Sequence, residues 1–129
     1  MAGTVDEHRR PLLRLQLRDG GHILALVDTG FNGQLWMSRA DATALGIDHD
    51  ENYSQTGHAI GMRPVETAEG QLVIHWLGQE RVVDVIVDID STHRTIAANE
   101  PAALIGTELL DPAALSINFE KRTCVVRGQ

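Results

Sequence analysis

Five apolar residues, Ile23 to Val27, run straight into Asp28, Thr29 and Gly30, and the chain then returns to apolar Leu35-Trp36-Met37. A buried strand that ends on a carboxylate is a strong constraint, because desolvating the charge is costly unless donors or a second titrating group meet it. Asp28 is therefore either a local hydrogen-bonding device of the Asx-turn kind or a reactive group. Thr29 offers a hydroxyl to hold neighbouring backbone, and Gly30 permits a close approach of another segment or a positive φ.

The surrounding pattern reads as β structure. In PLLRLQLR, Leu13, Leu15 and Leu17 alternate with Arg14, Gln16 and Arg18, the period of a half-buried strand. Asp19-Gly20-Gly21 is a tight turn, so Asp28 ends the second strand of a hairpin. The first ten residues read as a flexible polar tail, leaving 11–129 as a single domain. Leu35-Trp36-Met37 is a short strand, and Ser38 caps a helix from Arg39 to Leu45, with Asp41 at the capping-box position and Gly46 as its stop. Further strands are expected over Gln55 to Gly61, Gln71 to Trp76 and Arg81 to Asp88, with turns near Gly61–Pro64 and at Leu77-Gly78-Gln79. Within VVDVIVDID, Val83, Val85, Val87 and Ile89 alternate with Asp84, Ile86, Asp88 and Asp90, so one face is partly wet. A polar insertion, Ser91 to Pro101, precedes AALIG, a helical turn Thr107 to Leu110 closed by Pro112, and a hairpin of Leu115 to Phe119 and Thr123 to Arg127. The expected fold is mainly β, a closed or partly closed barrel with one or two short helices.

With 129 residues the chain is sized for one domain with a real core. Acidic residues outnumber Lys plus Arg by 18 to 11, and the basic ones are dispersed except at His8-Arg9-Arg10 and Glu120-Lys121-Arg122, which argues against nucleic acid or an anionic membrane as partner. The charged opening MAGTVDEHRR lacks the apolar core of a signal peptide, and no apolar run approaches a membrane span. A lone Cys124 forms no internal disulfide, in keeping with a reducing compartment, so a soluble, cytoplasmic protein is expected.

On ALVDTGFNG, on ALIGTELL and on the order of elements between them, the sequence resembles the retropepsin-like aspartic peptidases, in particular bacterial single-domain members, over about Leu12 to Arg127. The resemblance implies that Asp28 is catalytic, that Thr29 interlocks with its symmetry mate across a dimer interface, and that Gly30 shapes the active-site loop. It implies that Leu104, Ile105 and Gly106 pack behind that loop, that a flap tip carrying Ile60, Gly61 and Met62 covers the substrate, and that Cys124 lies on a terminal strand of an inter-subunit sheet. The family pattern places a small residue after the triplet, where this chain has Phe31-Asn32. No cofactor or metal is implied. Two carboxylates about 3 Å apart divide acid and base roles because they cannot both ionise. One chain carries one such Asp, so a two-fold homodimer acting on peptide or unfolded protein segments is the competent unit.

Plainer readings stand beside these. A dimer of this fold that only binds peptide or protein in its groove, or a monomeric barrel with Asp28 as a turn residue, fits the same residues. Gly61 serves equally as a hairpin glycine, and Cys124 as a small buried hydrophobe. Asp48, Asp50 and Asn52 have calcium-loop spacing, but Tyr53 and Ala59 occupy the positions that need Gly and Glu, leaving a solvated loop. The six histidines fall at no zinc-like spacing. His58 alone lies near the expected flap. Asn52-Tyr53-Ser54 has the glycosylation pattern without a secretory context. Trp36 and Trp76 are expected in the core.

Overall fold

In the computed structural model, which describes residues 1–49, 55–60, 63–91 and 100–128, the chain forms ten strands and two short helices. In chain order these are β1 (Ala2–Val5), β2 (Pro11–Leu17), β3 (His22–Val27), β4 (Leu35–Ser38), α1 (Arg39–Ala44), β5 (Gln55–Ile60), β6 (Arg63–Trp76), β7 (Gln79–Asp88), β8 (Ala103–Ile105), α2 (Thr107–Leu110), β9 (Ala114–Asn118) and β10 (Thr123–Arg127). The strands hydrogen-bond in the order β5-β6-β7-β4-β8-β3-β2-β1-β10-β9, and a further β6–β2 pairing closes six of them into a barrel. Closure is made where Gln16 and Leu17 meet His75 and Ile74.

The period-two reading of β2 places Leu13, Leu15 and Leu17 inside, with Arg14 and Gln16 exposed. Its partner β3 turns Ile23, Ala25 and Val27 inward, and Val83, Val85 and Val87 of β7 fill the same interior with Leu35, Met37, Ile74 and Ile105. The β2–β3 turn uses Gly20 at φ 92°, with Asp19 Oδ1 accepting from Gly21 N at 2.8 Å. Leu77 and Gly78 take positive φ at the β6–β7 turn, the two-residue geometry that suits the strand twist. Ser38 Oγ accepts from Asp41 N at 3.1 Å to start α1, and Gly46 stands at φ 72° just past its end.

Two expectations change. Where a tail was expected, Ala2–Val5 is a strand bonded to β2 and β10, with the amino terminus donating to Val126 O at 2.8 Å. The polar look of the segment comes from its alternation: Ala2 and Thr4 lie outside their neighbours' cover while Val5 is buried. Strand β6 begins at Arg63 rather than Gln71, because a 14-residue strand pairs first with β5 and then with β7, and Pro64 sits within it opposite Ala59. Cys124 is fully buried, as expected of a small buried hydrophobe, on β10, which is bonded to β1 on one side and β9 on the other. Trp36 and Trp76 are both buried, as expected, Trp76 in the main cluster and Trp36 on the opposite face of β4 from Leu35 and Met37. Gly61, Met62 and most of the insertion, 92–99, lie outside the described residues, as do Asp50 and 51–54.

Candidate active site

Strand β8 lies between β3 and β4, parallel to the first and antiparallel to the second, with Val27 opposite Ile105 and Leu35 opposite Ile105. The loop from Asp28 to Gln34 must therefore pass over the end of β8. Asp28 N donates to Ile105 O at 2.9 Å, extending the parallel ladder by one bond. On the far side Gly106 N donates to Gln34 O at 3.0 Å. The two apolar-to-glycine segments of the sequence are thus joined at both ends of the loop.

Helix α2 completes the hold. Thr107 N and Glu108 N, unpaired at the helix start, donate to Phe31 O at 2.8 Å and Gly33 O at 3.2 Å, and Thr107 Oγ1 reaches Phe31 O at 3.3 Å. The orphan donors of a helix N-terminus and the orphan carbonyls of a loop satisfy each other. Gly106 is needed for the fit: a Cβ there would stand 2.6 Å from Phe31 O and Phe31 Cδ2 and nearer still to Gly33 O. The Gln34 side chain adds a brace, accepting from Asp84 N of β7 at 2.7 Å and lying 3.4 Å from Glu108 Oε1.

Inside this frame Asp28 makes an Asx turn. Its Oδ1 accepts from Gly30 N at 3.0 Å and its carbonyl from Phe31 N at 3.1 Å. Among the described residues no donor reaches Oδ2. Asp28 is half-buried and Thr29 and Gly30 are exposed, so the triplet is presented outward from the barrel end. The Thr29 hydroxyl, expected to hold nearby backbone, makes no such bond among the described residues. Gly30 has neither a positive φ nor a close neighbour beyond Asp28 Oδ1, 3.3 Å from where a Cβ would lie. The close approach expected of Gly30 occurs at Gly106 and at Gly33, where a Cβ would meet the Phe31 ring at 2.5 Å.

Strand alternation puts Asp28 on the same side as Leu24 and Leu26, away from the core. On that side Leu26, Leu104, Trp36 and Ile86 are in register across β3, β8, β4 and β7, an apolar row beside the loop. Phe31 packs edge-on against Trp36, ring centres 5.8 Å apart at 84°. The residue after the triplet therefore fills space along this row and against Gly106. Of the expected flap residues, Ile60 ends β5 and pairs with Arg63; Gly61 and Met62 lie outside the described residues. Sequence reasoning did not assign Gly33 or Gln34 to the site. A second glycine three residues after Gly30 was the available signal for Gly33, while nothing local distinguishes Gln34.

The backbone aligns with a retropepsin-like aspartic protease from Rickettsia conorii over 96% of this chain and 95% of that one, with a TM-score of 0.65 and 17% identity. It aligns with EIAV protease complexed with the inhibitor HBY-793 over 83% of this chain and 90% of that one, with a TM-score of 0.54 and 20% identity. Neither a scan of protein-family models nor a sequence search of curated proteins gives a match. The fold is that of the retropepsin-like aspartic proteases.

Proposed function

We propose that this chain is an aspartic peptidase whose working unit is a homodimer, with Asp28 of each copy forming a carboxyl pair that shares a proton. One observation carries the reading. The loop bearing Asp28 is fixed by Ile105 O below and by α2 beside it, while one carboxylate oxygen is left without a donor on an exposed face. A merely structural Asx turn needs one oxygen and no such frame. The fold it shares with aspartic proteases supports the same chemistry.

In the dimer the ionised Asp28 takes a proton from water, and the protonated one donates to the scissile carbonyl as the water oxygen attacks it. The tetrahedral intermediate collapses with proton transfer to the leaving amine, returning the pair to its shared-proton state without a covalent enzyme intermediate. Thr29 and Gly30, both exposed, meet the second copy in this reading. An extended peptide lies along the row Leu26, Leu104, Trp36 and Ile86, held by main-chain hydrogen bonds and by the flap carrying Ile60, Gly61 and Met62. No cofactor takes part. Among the described residues no helix is long and apolar enough to cross a membrane; a cytoplasmic location rests on the single, unpaired Cys124.

The test is cleavage of a mixed peptide set across a pH series. Activity falls toward alkaline pH as the second carboxyl of the pair ionises. Cleavage that does not vary with pH contradicts the shared-proton pair.

A further inference from the structure

A peptide lying along Leu26, Leu104, Trp36 and Ile86 meets whatever already stands on that row, and the chain's own Phe31 stands there. Its place is fixed through the backbone. Phe31 N donates to Asp28 O at 3.1 Å, and Phe31 O accepts from Thr107 N at 2.8 Å and Thr107 Oγ1 at 3.3 Å. The ring is thus held one tight turn from the carboxylate.

Two glycines make room for it. A Cβ on Gly33 would stand 2.5 Å from Phe31 Cζ, 2.9 Å from Phe31 Cε1 and 3.3 Å from Ile86 Cδ1, and a Cβ on Gly106 would stand 2.6 Å from Phe31 Cδ2. The ring therefore rests directly on backbone at both glycines, with Trp36 against it at 5.8 Å and 84°. Trp36 is buried, whereas Leu26 and Leu104, on the Asp28 side of the row, are only half-buried. Displacing the ring forfeits its contact with Trp36 or drives it into fixed backbone, so an incoming side chain has to fit beside it.

We propose that Phe31 sets the size of side chain accepted beside the cut, so that the peptidase takes peptides with small residues, Gly or Ala rather than Leu or Phe, where a substrate side chain faces the row. The inference rests on the homodimeric peptidase reading and says which peptides that enzyme cuts. Side chains of an extended peptide alternate in direction, so of the two residues nearest the cut on each side, one points at the row. A two-fold dimer presents the same ring to both flanks, so the restriction holds on both sides of the cut. An apolar pocket rewards a larger side chain only where there is space for it. Phe31 has taken that space.

A cut site found in the mixed peptide set is remade as peptides that carry Ala, Leu or Phe in turn at each of the two residues on either side of the cut. Wild type, Phe31→Ala and Phe31→Leu are compared on them, folding being checked by circular dichroism. At one position on each side, kcat/KM of the wild type is at least ~10-fold higher for Ala than for Phe. Phe31→Ala lowers that ratio at least ~10-fold, Phe31→Leu falls between, and the ratios at the other positions stay as in the wild type. Lost packing alone slows every peptide alike and moves no ratio. The wild-type profile decides even where a variant fails to fold. A wild type that cuts Phe and Ala peptides equally at every position, or a folded Phe31→Ala that keeps the wild-type ratio, overturns the role of Phe31 and leaves the peptidase reading standing. A wild type for which no cut site is found removes both.

Discussion

Asp28 N and Ile105 O are joined by a 2.9 Å hydrogen bond that ties the start of the Asp-Thr-Gly loop to the strand running between β3 and β4. The bond sets the height of the Asp28 carboxylate by backbone geometry rather than by packing of its own side chain. Substitutions on the β8 side of that bond therefore change the loop without touching the acid.

Gly106 is the sharpest case. Replacing it with Ala drives a Cβ into Phe31 and Gly33, whose carbonyls are held by Thr107 and Glu108. Gly106→Ala loses about 1–3 kcal/mol of stability in urea unfolding, the ordinary cost of overpacking a fixed backbone. Gly30→Ala, with ordinary φ and open surroundings, stays within about 0.5 kcal/mol of wild type. Similar losses at both glycines contradict the fit described for the loop.

Two substitutions at Asp28 separate its turn role from its chemistry. Asparagine keeps an Oδ1 that accepts from Gly30 N, so Asp28→Asn unfolds within about 0.5 kcal/mol of wild type. Asp28→Ala loses the bond and costs about 0.5–1.5 kcal/mol. Thermal and urea unfolding of the pair checks both values, and neither variant cleaves peptide.

Cys124 gives a pH signature. Burial pushes its thiol pKa above the ordinary value, against smaller backbone effects at Leu12 and Gly3 that act in the opposite direction. A folded-state pKa above the unfolded one means that the unfolded chain loses its proton first as pH rises. Stability is therefore whole below the unfolded value of about 9 and declines above it. Urea midpoints measured between pH 7 and 10 fall for the wild type by more than for Cys124→Ala. Thiol reagents label the native protein slowly and the urea-unfolded chain fast.

Asp6 acts in the opposite direction. Desolvation opposes its charge, but hydrogen bonds from Arg10 N, the Arg10 side chain at 2.8 Å and His8 N, with the Arg10 charge, hold its pKa below the ordinary value of 3.8. A lowered folded pKa contributes stability above the unfolded value and loses it as pH falls through the folded one. Asp6→Asn therefore melts below wild type at pH 6, and the gap narrows as the pH drops below 3.8. A gap of equal size at both ends assigns the loss to the turn and not to the charge.

The hairpin β2–β3, the capped α1 and the valines of β7 were legible because period and cap chemistry are local. Strand β1 was not, since its charged neighbours at Asp6 to Arg10 form the turn and mask a four-residue strand. The start of β6 was hidden by Pro64, which reads as a turn residue unless the pairing with β5 is known. At the site, the resemblance implied Leu104 to Gly106 behind the Asp28 loop, while the bond from Asp28 N to Ile105 O is seen only in the structure. The hold on Phe31, Gly33 and Gln34 by α2 is a long-range pairing of unpaired donors and carbonyls that no local pattern records.

Peptide hydrolysis by Asp28 is measured on a peptide library read by mass spectrometry. Wild type and Asp28→Asn are compared from acidic to neutral pH, at concentrations where sedimentation shows a dimer. The wild type cleaves, most strongly in acid, and Asp28→Asn does not. Cleavage that survives the substitution, or a dimeric wild type that cuts nothing at any pH, contradicts peptide hydrolysis by Asp28.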